Sequence, residues 1–224
     1  MIPQYSLDLY KLLLDQKPAG LPVAVFVEGE REYEHLEKEA QTPEQVEFSM
    51  ISYGKKIWPF MQAQNKFLEL YGENKRKDFF IELLSENLKE KWQRFESEGG
   101  RLHNYRDGNK YEDYFSAEED LEIENAEIEA NRKLKSYIQD LTENEKKDEY
   151  RDLVEQLEKE QEEMTQKIEE LRNLKKNSSK WAEEIDQEIN FFEEGFAEIE
   201  ERPTVEKIQG KIDWYQGQID AGNK

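Results

Sequence analysis

Residues 150–171 read YRDLVEQLEKEQEEMTQKIEEL, which places Tyr150, Val154, Leu157, Met164, Ile168 and Leu171 at alternating steps of four and three. Apolar side chains at that spacing lie on one face of an α-helix. The stripe has the a/d pattern of a helical seam for about three heptads, and only Gln161 interrupts it. A helix with so narrow an apolar face must find a helical neighbour, so this stretch sets the expectation for the whole C-terminal half.

Working outward, Asn177-Ser178-Ser179 breaks the run and supplies capping side chains for a following helix. Trp181, Ile185, Ile189, Phe192, Phe196 and Ile199 then recur at three or four, and Pro203-Thr204 makes the next break, with Thr204 as a cap. Val205, Ile208, Ile212, Tyr215 and Ile219 form the last stripe, and residues 221–224 read as a frayed tail. Upstream, Thr142 with Glu145 has capping-box spacing and predicts the start of the seam helix. Residues 118–141 before it read as a Glu-rich helix with Leu121, Ile128, Leu134, Tyr137 and Ile138 as apolar points. Short breaks between long helices favour antiparallel neighbours, hence a hairpin or small bundle. A parallel homodimer zipped along residues 150–171 is the competing arrangement.

The N-terminal half reads differently. Residues 5–15 predict a short helix through Leu9, Leu12 and Leu13, ended by Pro18, Gly20 and Pro22. Val23-Ala24-Val25-Phe26-Val27 is a continuous β-branched and aromatic run stopped by Glu28-Gly29, which predicts a buried strand. Residues 30–40 read as a helix. Thr42-Pro43 has the form of a helix start, but the alternation in Val46-Glu47-Phe48-Ser49-Met50-Ile51 predicts a second strand, ended by Gly54. Helices follow at 57–71 and 77–96, the second through Phe79, Phe80, Leu83, Leu84, Leu88 and Trp92. Gly99-Gly100 and Asp107-Gly108-Asn109 mark a linker. The expected fold is thus α+β, mostly α: a small α/β unit at 1–98, a linker at 99–116, and an elongated antiparallel, coiled-coil-like helical domain at 117–224.

Charge follows the same division. The formal net charge is −21, with 21 acidic and 16 basic residues in 1–117 against 32 acidic and 16 basic in 118–224. Such an acidic helical half is repelled by phosphate backbones and attracted by basic protein surfaces. Charged residues make up 38% of the chain, yet eleven Tyr, eleven Phe and four Trp argue for folded helices rather than disorder. The absence of cysteine excludes disulfides, thiolate nucleophiles and Cys-based zinc sites. With no basic stretch followed by an apolar run at the N-terminus and no segment of membrane-spanning character, the expected compartment is the cytoplasm.

Catalytic patterns are sparse. The two histidines, His35 and His103, have no helical metal-pair spacing, and neither HExxH, GxSxG, GxGxxG nor a phosphate-binding loop occurs. Asp107, Asn109 and Glu118 fall at EF-hand positions one, three and twelve, but the glycine required at position six is Glu112. No cofactor is expected.

Val23 to Val27 ending in Glu28-Gly29, then Glu30-Arg31-Glu32-Tyr33 entering a helix, resembles the start of a Toprim domain, and Gly54-Lys55 after the second expected strand extends the similarity. The resemblance implies a strand carrying Glu28 into metal-dependent phosphoryl transfer. The family's later Asp-x-Asp pair, which holds Mg²⁺, is absent.

Three functions follow as expectations. The first is a non-catalytic adaptor, scaffold or regulator that docks another protein, with Trp181, Phe191, Phe192, Phe196, Trp214 and Tyr215 as anchors. The second is an acidic mimic of nucleic acid that inhibits a nucleic-acid-binding protein, using Glu193, Glu194 and Glu198. The third is a degenerate Toprim-like nuclease built on Glu28. The expected partner is another protein, one with a basic surface, and neither nucleic acid nor membrane.

Overall fold

A computed structural model describes residues 4–39, 42–100, 114–197 and 203–222. His103, Asp107 and Asn109 of the expected linker, the charged Glu198, Ile199 and the last two residues of the tail lie outside the described residues. The structure is 85% helical, with no strand among the described residues. The helices are α1 (Gln4–Asp15), α2 (Val23–Lys38), α3 (Pro43–Phe67), α4 (Glu73–Leu83), α5 (Glu86–Ser97), α6 (Ala117–Asp140), α7 (Lys147–Asn177), α8 (Ala182–Glu194) and α9 (Val205–Asp220). Single π-helical turns join α3 to α4 at Leu68–Gly72 and follow α6 at Leu141–Glu145.

The expected N-terminal α/β unit is therefore corrected: the fold is all-α. Val23–Val27 is the first turn and a half of α2, entered from Pro22 in an extended conformation. Its apolar run is not uniformly buried. Val23 is 67% exposed, whereas Val25, Phe26, Tyr33 and Leu36 pack into one core, with Gly29 buried between them along the helix. That spacing is helical, and packing of the face outweighs the weak β preference of valine. Gly29 is a point of close approach: a Cβ there would lie 2.5 Å from the Tyr53 ring and 2.8 Å from Leu14 Cδ2. Glu28 sits on the outer side, 3.1 Å from Lys56 and 63% exposed. The Glu-Gly pair that suggested a Toprim strand is thus a helical surface residue followed by a helix-packing glycine.

The second expected strand fails for a related reason. Thr42 and Gln45 form a reciprocal cap, with Gln45 N donating to Thr42 Oγ1 at 3.4 Å and Thr42 N to Gln45 Oε1 at 3.0 Å. The helix they start runs on through 46–51. Val46, Ser49, Tyr53 and Ile57 are buried at steps of three and four, while Phe48, which completed the alternating pattern, is 74% exposed.

Two compact units form, one from residues 1–65 and 146–224, the other from 66–145. In the first unit, α1, α2 and α3 surround Tyr10, Leu13, Leu14, Leu36, Val46 and Ile57. Tyr10 donates to Glu32 at 3.0 Å, and Ser49 donates to the other oxygen of the same carboxylate at 2.8 Å, tying the three helices together. Burial, then the Glu32 charge, pushes the Tyr10 phenol well above its ordinary value. In the same unit α7, α8 and α9 form a three-helix bundle. Its core takes Met164, Ile168 and Leu171 from the seam, Ile185, Ile189 and Phe192 from α8, and Ile208 and Ile212 from α9. Of the helices expected to share a hairpin or bundle over 117–224, α7, α8 and α9 do so here, whereas α6 belongs to the other unit. Trp58 of α3 enters this core and meets Phe196 edge-on at 5.8 Å.

In the second unit, α4 and α5 form a hairpin on which α6 packs. Phe80, Trp92, Phe95 and Phe115 make its aromatic centre, closed by Ile123, Ala126 and Ala130 of α6. The expected single helix over 77–96 breaks at Leu84-Ser85. Glu122 of α6 caps the new start, accepting from Ser85 N at 2.6 Å and from its hydroxyl at 3.3 Å. α6 opens with a full capping box between Ser116 and Glu119. The box expected at Thr142 and Glu145 does not form. Thr142 instead donates to the Gln139 carbonyl at 2.9 Å within the π turn, and α7 starts after Lys146. No described helix is long and apolar enough to cross a membrane.

Candidate partner-binding site

The breaks at 178–181 and 203–204 position the aromatic residues of the C-terminal bundle. Ser178 is buried at the end of α7, and its hydroxyl accepts from Trp181 N at 3.4 Å. Thr204 Oγ1 accepts from Lys207 N at 3.2 Å and so starts α9. Ion pairs set the register of α8 between its neighbours: Lys175 of α7 with Asp186, and Lys211 of α9 with Glu188. Arg172 of α7 pairs in turn with Glu193, and Trp181 before α8 meets Trp214 of α9, so along both neighbours the partners fall as α8 rises, and α8 runs antiparallel to α7 and to α9.

That register brings Trp181, just before α8, against the C-terminal part of α9. Trp181 and Trp214 meet edge to face at 5.3 Å, Trp214 and Tyr215 at 4.8 Å, and Trp181 and Tyr215 at 6.2 Å. Lys180 Nζ lies 5.0 Å from the centre of the Trp181 ring. Tyr215 is buried and Trp181 half-buried, whereas Trp214 is 49% exposed. The phenol of Tyr215 is raised by burial and then by the carboxylates of Glu188 and Glu184. An indole surface open to water is suited to a lysine or arginine side chain, which gains from the ring face.

Of the six aromatic anchors expected from the sequence, three meet here. Phe192 and Phe196 are core residues of the bundle. Phe191 is half-exposed on the outer face of α8, where its ring meets that of Phe192 at 5.6 Å. The expected acidic trio also divides. Glu193 is an internal tie: its carboxylate lies 2.6 Å from Lys55 and 2.8 Å from Arg172, and only 19% of its side chain is exposed. Glu194 is half-buried, its main-chain carbonyl accepting from Ala197 N at 2.7 Å. Glu198 lies outside the described residues.

Glu184, Glu188 and Lys180 were not singled out in the sequence. Glu184 and Glu188 are four residues apart on α8, one turn of helix, but nothing local says that α9 would bring Tyr215 beside them. Among the described residues, no group of three or more histidine, aspartate or glutamate side chains is arranged to hold a metal ion. Compared with protein-family models, with curated proteins and with solved structures, the chain matches none.

Proposed function

We propose that the protein is a non-catalytic binding module that docks a basic segment of another protein on the Trp181–Trp214–Tyr215 cluster. The observation that carries this reading is Trp214: an indole 49% exposed, braced edge-on by Trp181 and Tyr215, at one end of a bundle whose core closes without it. Large rigid aromatics with a polar edge are the side chains that most often dominate binding energy at protein interfaces. The exposed carboxylate of Glu184, which acts on the Tyr215 phenol, and the excess of acidic residues in 118–224, 32 against 16 basic, favour a cationic partner and speed its approach.

The test is a paired capture from the native cell with the tagged protein and its Trp214→Ala variant, at low and high salt, scored by mass spectrometry. Trp214 is half-exposed, so the variant keeps its fold, checked by circular dichroism. The expected result is a specific protein, rich in Lys and Arg at its contact segment, that wild type retains and Trp214→Ala releases. A captured set identical for both forms overturns the assignment of this cluster.

A further inference from the structure

We infer that the α6 face of the second unit is a groove for a basic amphipathic helix contributed by a partner protein. Its inner face, Ile123, Ala126, Ala130, Leu134 and Ile138, is spent on the core. Its outer face carries Leu121 and Ile128, two turns apart and 58% and 62% exposed. Apolar residues seven apart on a helix lie on one line and form the seam that a second helix packs along.

Beside that line is an open recess of about 450 Å³ with Leu83, Leu121 and Ala126 as its apolar lining and Glu118, Glu122 and Glu129 as its polar one. Leu83 comes from the end of α4, so the recess is formed by two helices and is not a single convex surface. Its volume is of the size that accepts large side chains.

The charge selects the occupant. Residues 117–131 hold seven carboxylates and no basic side chain. Glu119, Glu127 and Glu129 are matched by Lys91 at 2.6 Å, Arg76 at 3.2 Å and Arg132 at 2.7 Å, while Glu122 accepts from Ser85 N and Oγ, neutral donors. A second copy of this chain, at a formal net charge of −21, would bring like charge against the groove, and nucleic acid would do so more strongly. An amphipathic helix with Leu or Ile on one side and Lys or Arg along both flanks fits both features. Its apolar side would cover Leu121 and Ile128 and enter the recess, and its flanks would meet Glu118 and Glu122. This surface is in the other unit from Trp214, so either assignment can stand without the other.

The probe is a fluorescein-labelled Leu/Lys amphipathic peptide of about 18 residues, five helical turns, titrated by anisotropy with the full chain. The double variant Leu121→Ser/Ile128→Ser removes two exposed side chains and leaves the core intact. It should weaken binding about tenfold or more, whereas Phe48→Ser, which removes an exposed apolar side chain of the other unit, should leave this affinity unchanged. A peptide of the same composition, scrambled to lose its apolar face, should bind at least as weakly to wild type as the designed peptide does to the double variant. Equal affinity of wild type and double variant overturns the proposal, as does equal affinity for the scrambled peptide. Sedimentation that shows wild type self-associating through these two side chains would overturn it in favour of a second copy.

Discussion

The side-chain amide of Gln161 donates a 2.6 Å hydrogen bond to the main-chain carbonyl of Lys55. The α-helical donor to that carbonyl would be the N–H of residue 59, which is proline and has none. Gln161 therefore interrupts the apolar seam of α7 in order to complete the hydrogen bonding of α3. Replacing Gln161 by Leu would restore the heptad pattern, yet it should destabilise the protein by about 1–3 kcal/mol, the cost of an unmet buried carbonyl. In a Pro59→Ala background residue 59 supplies the missing N–H, and the same Gln161→Leu change should cost little. Urea denaturation of the four proteins measures this coupling, and a coupling of zero would remove Pro59 from the explanation.

Gly54 lies where α3 passes the chain just after α8. A Cβ on Gly54 would lie 2.8 Å from Ala197 Cα and 2.9 Å from the Phe196 carbonyl oxygen, both main-chain atoms with little freedom to yield. Gly54→Ala should therefore destabilise by about 1–3 kcal/mol, the usual range for overpacking. Gly210 and Gly217 of α9 provide the contrast. Both are exposed and have open space where a Cβ would go, so Ala at either should stabilise by about 0.5–1 kcal/mol through helix propensity. Thermal unfolding should thus move in opposite directions for the two sets.

The helical stripes of the C-terminal half were legible because each is set by residues within one helix. The breaks at 178 and 204 were legible because Ser178 and Thr204 act on amides three residues ahead. The N-terminal half misled where short apolar runs are ambiguous between strand and helix. Val23–Val27 has no internal period, and its helical burial is visible only when Gly29, Tyr33 and Leu36 are counted with it. The start at Thr42-Pro43 was a local helix signal, and the reciprocal bond with Gln45 shows it prevailing over the alternation at 46–50. What no local pattern carries is closure over long chain distances. Lys55 with Glu193, Gln161 with Lys55, and Tyr150 with the carbonyl of Ala19 all join residues more than a hundred positions apart. The same limit applied to the candidate site: the aromatics Trp181, Trp214 and Tyr215 could be picked out singly, while their meeting depends on the register of α8 against α9.

The carboxylate of Glu193 makes one of those closures sensitive to acid. Burial alone would raise its pKa, but the hydrogen bonds and charges of Lys55 and Arg172 outweigh burial and hold it below the ordinary 4.5. A carboxylate depressed in the folded state contributes stability at pH values above its unfolded pKa. That contribution is lost as pH falls from about 4.5 through the lower folded value. Glu193→Gln should therefore destabilise the protein at pH 7 by about 1–3 kcal/mol, since it leaves two cations without their shared partner. The gap between variant and wild type should narrow steadily below pH 4.5, because protonation gives wild type the same neutral side chain. Denaturant unfolding from pH 7 to pH 3 measures it. A gap that stays constant with pH would mean that Glu193 acts through packing and not through its charge.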